Sequence, residues 1–271
     1  MLCDSVKSLS DVKLDRYIAE QKFDGERILI SKKGSVIRVT NRRGAEKSDV
    51  YPEIVKELSK LNFDFWLDGE MCSSNGIFND LQRRALLRDS EEIANRRDTI
   101  PLVYNVFDLL ELNGTRLVFK PLLERKKLLA DNFSNLEKVK VSEWFDKKED
   151  IKALWEKVQQ NNLEGIVLKI KDSVYVFKRS NAWLKCKNFK EVIIKFTSGE
   201  INNAGIKLTD GFNEVQVQQK TRADWILKKL ASDGFVEVVV QYLDKGATGK
   251  LRFPSCREVV GCPCGKVVDD G

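Results

Sequence analysis

Lys22-Phe23-Asp24-Gly25-Glu26-Arg27 lies between two short apolar runs, Tyr17-Ile18-Ala19-Glu20 and Arg27-Ile28-Leu29-Ile30. The Asp-Gly pair is a turn signal, so Tyr17 to Ser31 is predicted as strand, turn, strand. A solvated hairpin turn would carry the same six residues. What gives them chemistry is the ordered series downstream. Leu67-Asp68-Gly69-Glu70 ends an apolar strand in acid, and the period of two puts Asp68 and Glu70 on one face. Phe107-Asp108-Leu109-Leu110 closes a buried strand, followed by Asn113-Gly114 and by Pro121-Leu122-Leu123-Glu124-Arg125. Glu164-Gly165-Ile166-Val167-Leu168-Lys169 comes next. Lys178-Arg179-Ser180 then leads into Trp183-Leu184-Lys185-Cys186-Lys187, whose lysines share one face and whose Leu184 and Cys186 share the other. That is a fixed cationic wall, although an edge strand guarded by charge would read alike.

The pattern between these motifs alternates strands and helices. Strands are predicted over Val36–Thr40, Phe63–Met71, Leu102–Leu110, Ile166–Ile170, Val174–Lys178 and Trp183–Lys187. Helices are predicted over Tyr51–Leu61, with Pro52 in its first turn, and over Asp80–Ala94, Pro121–Asn132 and Lys147–Asn161. After about Asn188 the texture becomes short and β-rich: Val192–Thr197, Gly205–Leu208, Glu214–Gln218 and Gly234–Leu243, interrupted by a helix over Arg222–Leu230. That pattern fits a small, partly open barrel. Two domains are expected, residues 1–188 and 189–271.

The 271 residues are 42% hydrophobic and 32% charged, with a net charge of +6, which suits a sizeable core and an anionic partner. No apolar run approaches the roughly 20 residues that span a bilayer, and the first residues lack a secretory pattern. The expected setting is therefore cytoplasmic, or wherever the anionic partner resides, with no secretion and no membrane partner. The six cysteines lack paired spacing and read as reduced thiols. Cys262-Pro263-Cys264 is a poor zinc site without further ligands. With no histidine in the chain, Ser-His-Asp, Cys-His and HExxH chemistries are excluded. Catalysis must use Lys, Arg, Asp, Glu, Cys, Ser or Tyr, or a carboxylate-bound metal.

The series from Lys22 to Lys187 resembles the covalent nucleotidyltransferases, and among them the ATP-dependent DNA ligases. Phe107 to Leu110 with Asn113-Gly114, Pro121-Leu122 and Arg125 resembles the ligase branch more than capping enzymes. The resemblance is strong over Leu2–Lys187 and weaker beyond. It implies an α/β (α+β) nucleotidyltransferase domain with antiparallel sheets, followed by a C-terminal OB-fold β-barrel. It also implies that Lys22 attacks the α-phosphorus of ATP, that Glu20 contacts the adenine, that Arg27 and Glu70 hold the ribose, and that Phe107 stacks on the base. Arg42 would contact the nucleotide or the nick phosphate. Lys169, Arg179, Lys185 and Lys187 would complete the nucleotide site, and Glu70 and Glu164 would face Mg²⁺. An ordinary lysine is almost wholly protonated at neutral pH, so a working nucleophile needs burial or neighbouring cations. Lys185, Lys187, Arg179 and Mg²⁺ would supply that field, while the triphosphate pulls the other way. Nicked duplex DNA is the implied partner and a monomer the expected state. An RNA ligase or capping-type enzyme, using the same lysine chemistry, is the alternative.

One spacing is awkward. Glu164 and Lys169 are five apart and point to opposite faces of an ideal strand, unless the strand starts after Glu164 or bulges at Gly165. Two features depart from the family. Gly249-Lys250-Leu251-Arg252-Phe253-Pro254 is not followed by the basic RxDK-like segment, so either Lys250, Arg252 or Arg257 would take its place or the first step would be slow without an added helper. No DNA-binding domain precedes Leu2, which suggests a minimal ligase or a trimmed chain. Glu200–Asp210 would then be a candidate loop for holding the duplex.

Overall fold

The computed structural model describes residues 1–218, 220–246 and 248–263; Cys264, half of the Cys-Pro-Cys pair, lies outside the described residues. The chain divides into two compact units, Met1–Lys187 and Asn188–Gly271.

The first unit runs β1 (Leu2–Val6), β2 (Tyr17–Gln21), β3 (Glu26–Lys33), β4 (Val36–Asn41), α1 (Pro52–Leu58), β5 (Phe65–Ser73), α2 (Phe78–Ala85), α3 (Ser90–Thr99), β6 (Leu102–Leu112), β7 (Thr115–Arg116), α4 (Leu122–Phe133), β8 (Val139–Val141), β9 (Trp144–Phe145), α5 (Lys148–Gln160), β10 (Gly165–Ile170) and β11 (Arg179–Lys187). These strands form two sheets. One has the order β1-β11-β10-β2-β9; the other has the order β4-β3-β5-β6-β7, with β8 added beside β6. Pairing is antiparallel except for β1 with β11 and β6 with β8.

The opening stretch folds as strand, turn, strand, but β2 and β3 do not pair with each other. The turn at Asp24-Gly25 carries the chain from one sheet to the other. Gly25 is required there, since a Cβ would lie 2.2 Å from the Met71 carbonyl oxygen. One apolar layer, including Ile28, Ile30, Leu67, Val106 and Leu109, packs the β3–β6 sheet against α1 and α4 residues such as Ile54 and Leu129. A second, with Ala19, Ile166, Leu168 and Cys186, packs the other sheet against Ile151, Leu154 and Val158 of α5. A third joins the two sheets through Leu29, Trp66, Phe107 and Leu110 on one side and Ala182 and Trp183 on the other.

Several expectations need correction. The helix predicted over Asp80–Ala94 is two helices, because Asp89 is extended and caps α3 by accepting from Glu92 N at 2.9 Å. Val174–Lys178 is not a strand. Tyr175 is instead pinned inwards, its amide on the Val118 carbonyl and its hydroxyl donating to Asp68 Oδ2 at 2.8 Å. β1 has no strong alternation and forms against a distant partner, β11.

The second unit contains β12 (Lys190–Phe196), β13 (Ser198–Asn202), β14 (Gly205–Thr209), β15 (Glu214–Gln218), α6 (Lys220–Asp233), β16 (Val236–Tyr242) and β17 (Ser255–Val259). They make two three-stranded antiparallel sheets, β12-β16-β17 and β13-β14-β15. One core holds Phe196, Ile206, Leu208, Val215, Val217, Ile226, Val236, Val238 and Val240. Glu200–Asp210, read as a loop, is mostly the β13–β14 hairpin.

Candidate active site

The two sheets of the first unit face each other across a cleft of ≈ 270 Å³ lined by Glu20, Lys22, Arg27, Arg42, Glu70, Phe107, Lys169, Arg179, Lys185 and Lys187. Glu164 joins them through Lys22.

Lys22 follows β2 directly. Its amide donates to the Gly165 carbonyl at 2.9 Å, and its Nζ donates to Glu164 Oε2 at 2.6 Å. The other Glu164 oxygen is 3.6 Å from Lys187 Nζ. The awkward spacing is resolved at Gly165, where β10 begins with φ +150. A Cβ there would lie 2.1 Å from the Cys186 carbonyl oxygen, so only glycine fits. Glu164 therefore precedes the strand and turns to Lys22, while Lys169 reaches the cleft from within β10.

Lys169 is 2% exposed. Its Nζ is 4.5 Å from the centre of the Phe107 ring and 4.2 Å from that of Trp183, and 2.9 Å from Glu20 Oε1. Lys126 of α4 adds a second ammonium 3.2 Å from the same oxygen. Burial opposes ionisation of Glu20, but Lys126 and Lys169 outweigh it and hold the carboxyl below its usual range. Burial in turn pushes Lys126 down, against the pull of Glu20. Phe107 reaches this point because it is the extra residue of a bulge: Val106 pairs with Gly69 and Asp108 with Asp68, which leaves Phe107 unopposed.

Arg27 is clamped in a fork by Asp68, with Nε–Oδ1 at 2.9 Å and Nη2–Oδ2 at 2.5 Å. It also donates to the Tyr175 hydroxyl and to the Met1 carbonyl. Glu70 has no such clamp. Burial pushes its carboxyl up to about 8, with Lys22 and Arg27 pulling the other way. On β11, burial and then Lys187 and Arg179 push Lys185 below the usual lysine value. Arg42, in the turn after β4, and Arg179, beside Asp4 at 3.8 Å, are exposed at the rim. The sequence reading missed the support behind these residues. Asp68 was placed on the face of Glu70 but given no task. Tyr175 sat in a supposed strand. Lys126 carries no signal beyond following Arg125.

The model of the ATP dependent DNA ligase domain matches residues 1–187. The chain belongs to the ATP-dependent DNA ligase family. It is 31% identical over 178 residues to a DNA ligase of Pyrobaculum islandicum, covering 63% of this chain and 30% of that one. To the SPbeta prophage-derived DNA ligase-like protein LigB of Bacillus subtilis it is 30% identical over 256 residues, covering 89% of this chain and 92% of that one. The chain spans about a third of the length of several longer relatives. The solved mycobacterial DNA ligase D complexed with ATP and MES shares the fold, with a TM-score of 0.57 at 21% identity over 98% of this chain and 95% of that one.

The ligase signature around Phe107 also has a structural component. Asp108 and Arg125 form a fully buried fork, Nε–Oδ1 at 2.7 Å and Nη2–Oδ2 at 2.9 Å, which ties β6 to α4. Lys250, Arg252 and Arg257 lie in the second unit, where Arg252 pairs with Asp244 at 2.8 Å. Among the described residues no helix is long and apolar enough to cross a membrane.

Proposed function

We propose that this ligase seals 5′-phosphate/3′-hydroxyl nicks in duplex DNA with ATP, through AMP carried on Lys22. The observation that carries this reading is Lys22 Nζ, 2.6 Å from Glu164, in a cleft lined by Lys169, Lys185, Lys187 and Arg179. The lysine amine attacks the α-phosphorus of ATP; an N–P bond forms and the bond to the pyrophosphate oxygen breaks. Glu164 Oε2 is in reach of the proton that the nitrogen loses. The cations offset charge gathering on the phosphoryl oxygens. Glu20, held ionised, can only accept a hydrogen bond, which suits the amino group of adenine. Phe107 offers a ring for the base, and Arg27 and Glu70 flank the ribose. AMP then passes to a 5′-phosphate, and a 3′-hydroxyl displaces it as the phosphodiester forms.

Glu70 fits Mg²⁺. Its carboxyl lines the cleft close enough to Glu164 for the two negative charges to oppose each other, and a hard cation between them would relieve that repulsion. Among the described residues no cluster of three or more acidic, Cys or His side chains could cage a metal. Glu70 and Glu164 together would hold Mg²⁺ that keeps other positions for water and phosphate, where it would neutralise phosphoryl charge. We read residues 1–188 as the nucleotidyltransferase domain and 189–271 as an OB-fold; two small antiparallel sheets around one core support the second assignment. Intact-mass spectrometry after incubation with ATP and Mg²⁺ tests the first step. An AMP-sized increase lost in Lys22→Ala is expected; no adduct on the unaltered protein under any divalent cation would overturn the reading.

A further inference from the structure

Phe177 is 59% exposed although it belongs to the segment that seals the joint between the sheets. It is not a loose side chain. Its ring is stacked on Trp66, with centroids 5.5 Å apart and planes at 19°, and Tyr175 meets it edge-on at 5.1 Å and 70°. Tyr175 is fixed in turn by Asp68. One face of Phe177 is thus braced from below and the other is open.

Beside it is a second hollow, lined by Leu29, Tyr175, Phe177, Arg27 and Arg42. Arg27 and Arg42 also line the nucleotide cleft, so the two spaces adjoin. The surroundings are cationic: Lys178 and Arg179 follow Phe177 directly in exposed positions, and Arg42 is exposed across the hollow. A rigid aromatic face among arginines and lysines matches a nucleic-acid strand, whose sugars and bases are flat or apolar between anionic phosphates. It does not match a purely apolar partner, which would leave those charges desolvated.

We propose that Phe177, braced by Trp66, is a DNA subsite next to the nucleotide cleft, taking the sugar or base face of a nucleotide at the nick while Arg42 meets its phosphate. This rests on the reading of the chain as a nick-sealing ligase. The ring is already ordered before binding, so the contact costs little entropy. Aromatic contact releases no counterions, so its loss should weaken affinity without changing the salt dependence.

The test is fluorescence anisotropy of a labelled nicked duplex with the whole protein, alongside mass spectrometry of the AMP adduct. Phe177→Ala should bind the duplex about tenfold more weakly, with an unaltered slope against salt and unaltered adduct formation. Phe177→Trp should restore affinity, and Arg42→Ala should reduce the slope. Affinity of Phe177→Ala within about twofold of the unaltered protein would overturn the proposal. So would a protein that binds no nicked duplex, or one in which Phe177→Ala abolishes only self-association in sedimentation. A missing AMP adduct alongside a tenfold loss of DNA affinity would instead count against the catalytic reading and leave this subsite supported.

Discussion

Glu70 and Arg27 occupy opposed positions on β5 and β3, yet their electrostatic situations differ. Arg27 is paired twice over with Asp68, whereas Glu70 is half-buried with no ion pair among the described residues, and desolvation pushes it up from 4.5 to about 8. A folded-state value above the unfolded one means that the folded protein holds an extra proton between those two pH values. Stability should therefore fall as pH rises across that window. Urea denaturation of the protein free of nucleotide and metal should show this. Glu70→Gln is expected to match the unaltered protein near pH 5 and to become progressively more stable than it towards pH 8.5. Equal stability of the two at both pH values would show that Glu70 carries no raised pKa. At this scale the sequence was informative about residue types. Lysine, acids and an aromatic in order imply phosphoryl chemistry through a resemblance. It could not reveal that Glu20 is held by two ammonium groups or that Arg27 is clamped by Asp68, because Lys169 and Asp68 are set by strand register within each sheet and Lys126 by where α4 packs.

Asp108 and Arg125 are both fully buried and lie on β6 and α4. Arg125 also donates to the carbonyls of Lys120 and Ser173. Removing one member strands a charge in the core, which costs about 3–5 kcal/mol. Asp108→Leu and Arg125→Met should each lower unfolding free energy by about that much, and the double variant by clearly less than their sum. An additive double variant would mean that the fork contributes nothing as a pair. Elements with strong patterning were legible, among them α4, α5, β5 and β6. The failures had particular causes. The Asp-Gly turn has the sequence of a hairpin, but Gly25 lies so close to Met71 that the chain leaves one sheet for the other. The α2–α3 break rests on one aspartate cap in an otherwise helical, basic run. β1 is specified by its partner strand and not by its own alternation. The bulge at Phe107 is invisible to a period of two, and it is what turns that ring into the cleft.

Across the whole molecule the cleft is a product of sheet order. Lys22, Glu164, Lys185 and Lys187 come from one sheet and its ends, while Arg27, Glu70 and Phe107 come from the other. No local window of sequence contains such an arrangement, so the ordered motifs could indicate it only through a known family. The same chain carries a net charge of +6, and its exposed Arg42, Lys178 and Arg179 stand at or beside the rim of the cleft. If duplex DNA is held by its phosphates, each contact displaces condensed counterions, and log affinity falls with log salt by roughly 0.9 per contact. Two or more contacts predict at least about a tenfold loss of nicked-duplex affinity between about 50 and about 200 mM salt. Formation of the AMP adduct, which needs no DNA, should change far less over the same range. Measuring both on one preparation separates the two: a flat DNA affinity with an unchanged adduct would mean that the rim cations serve the nucleotide alone and that the duplex is gripped by uncharged contacts.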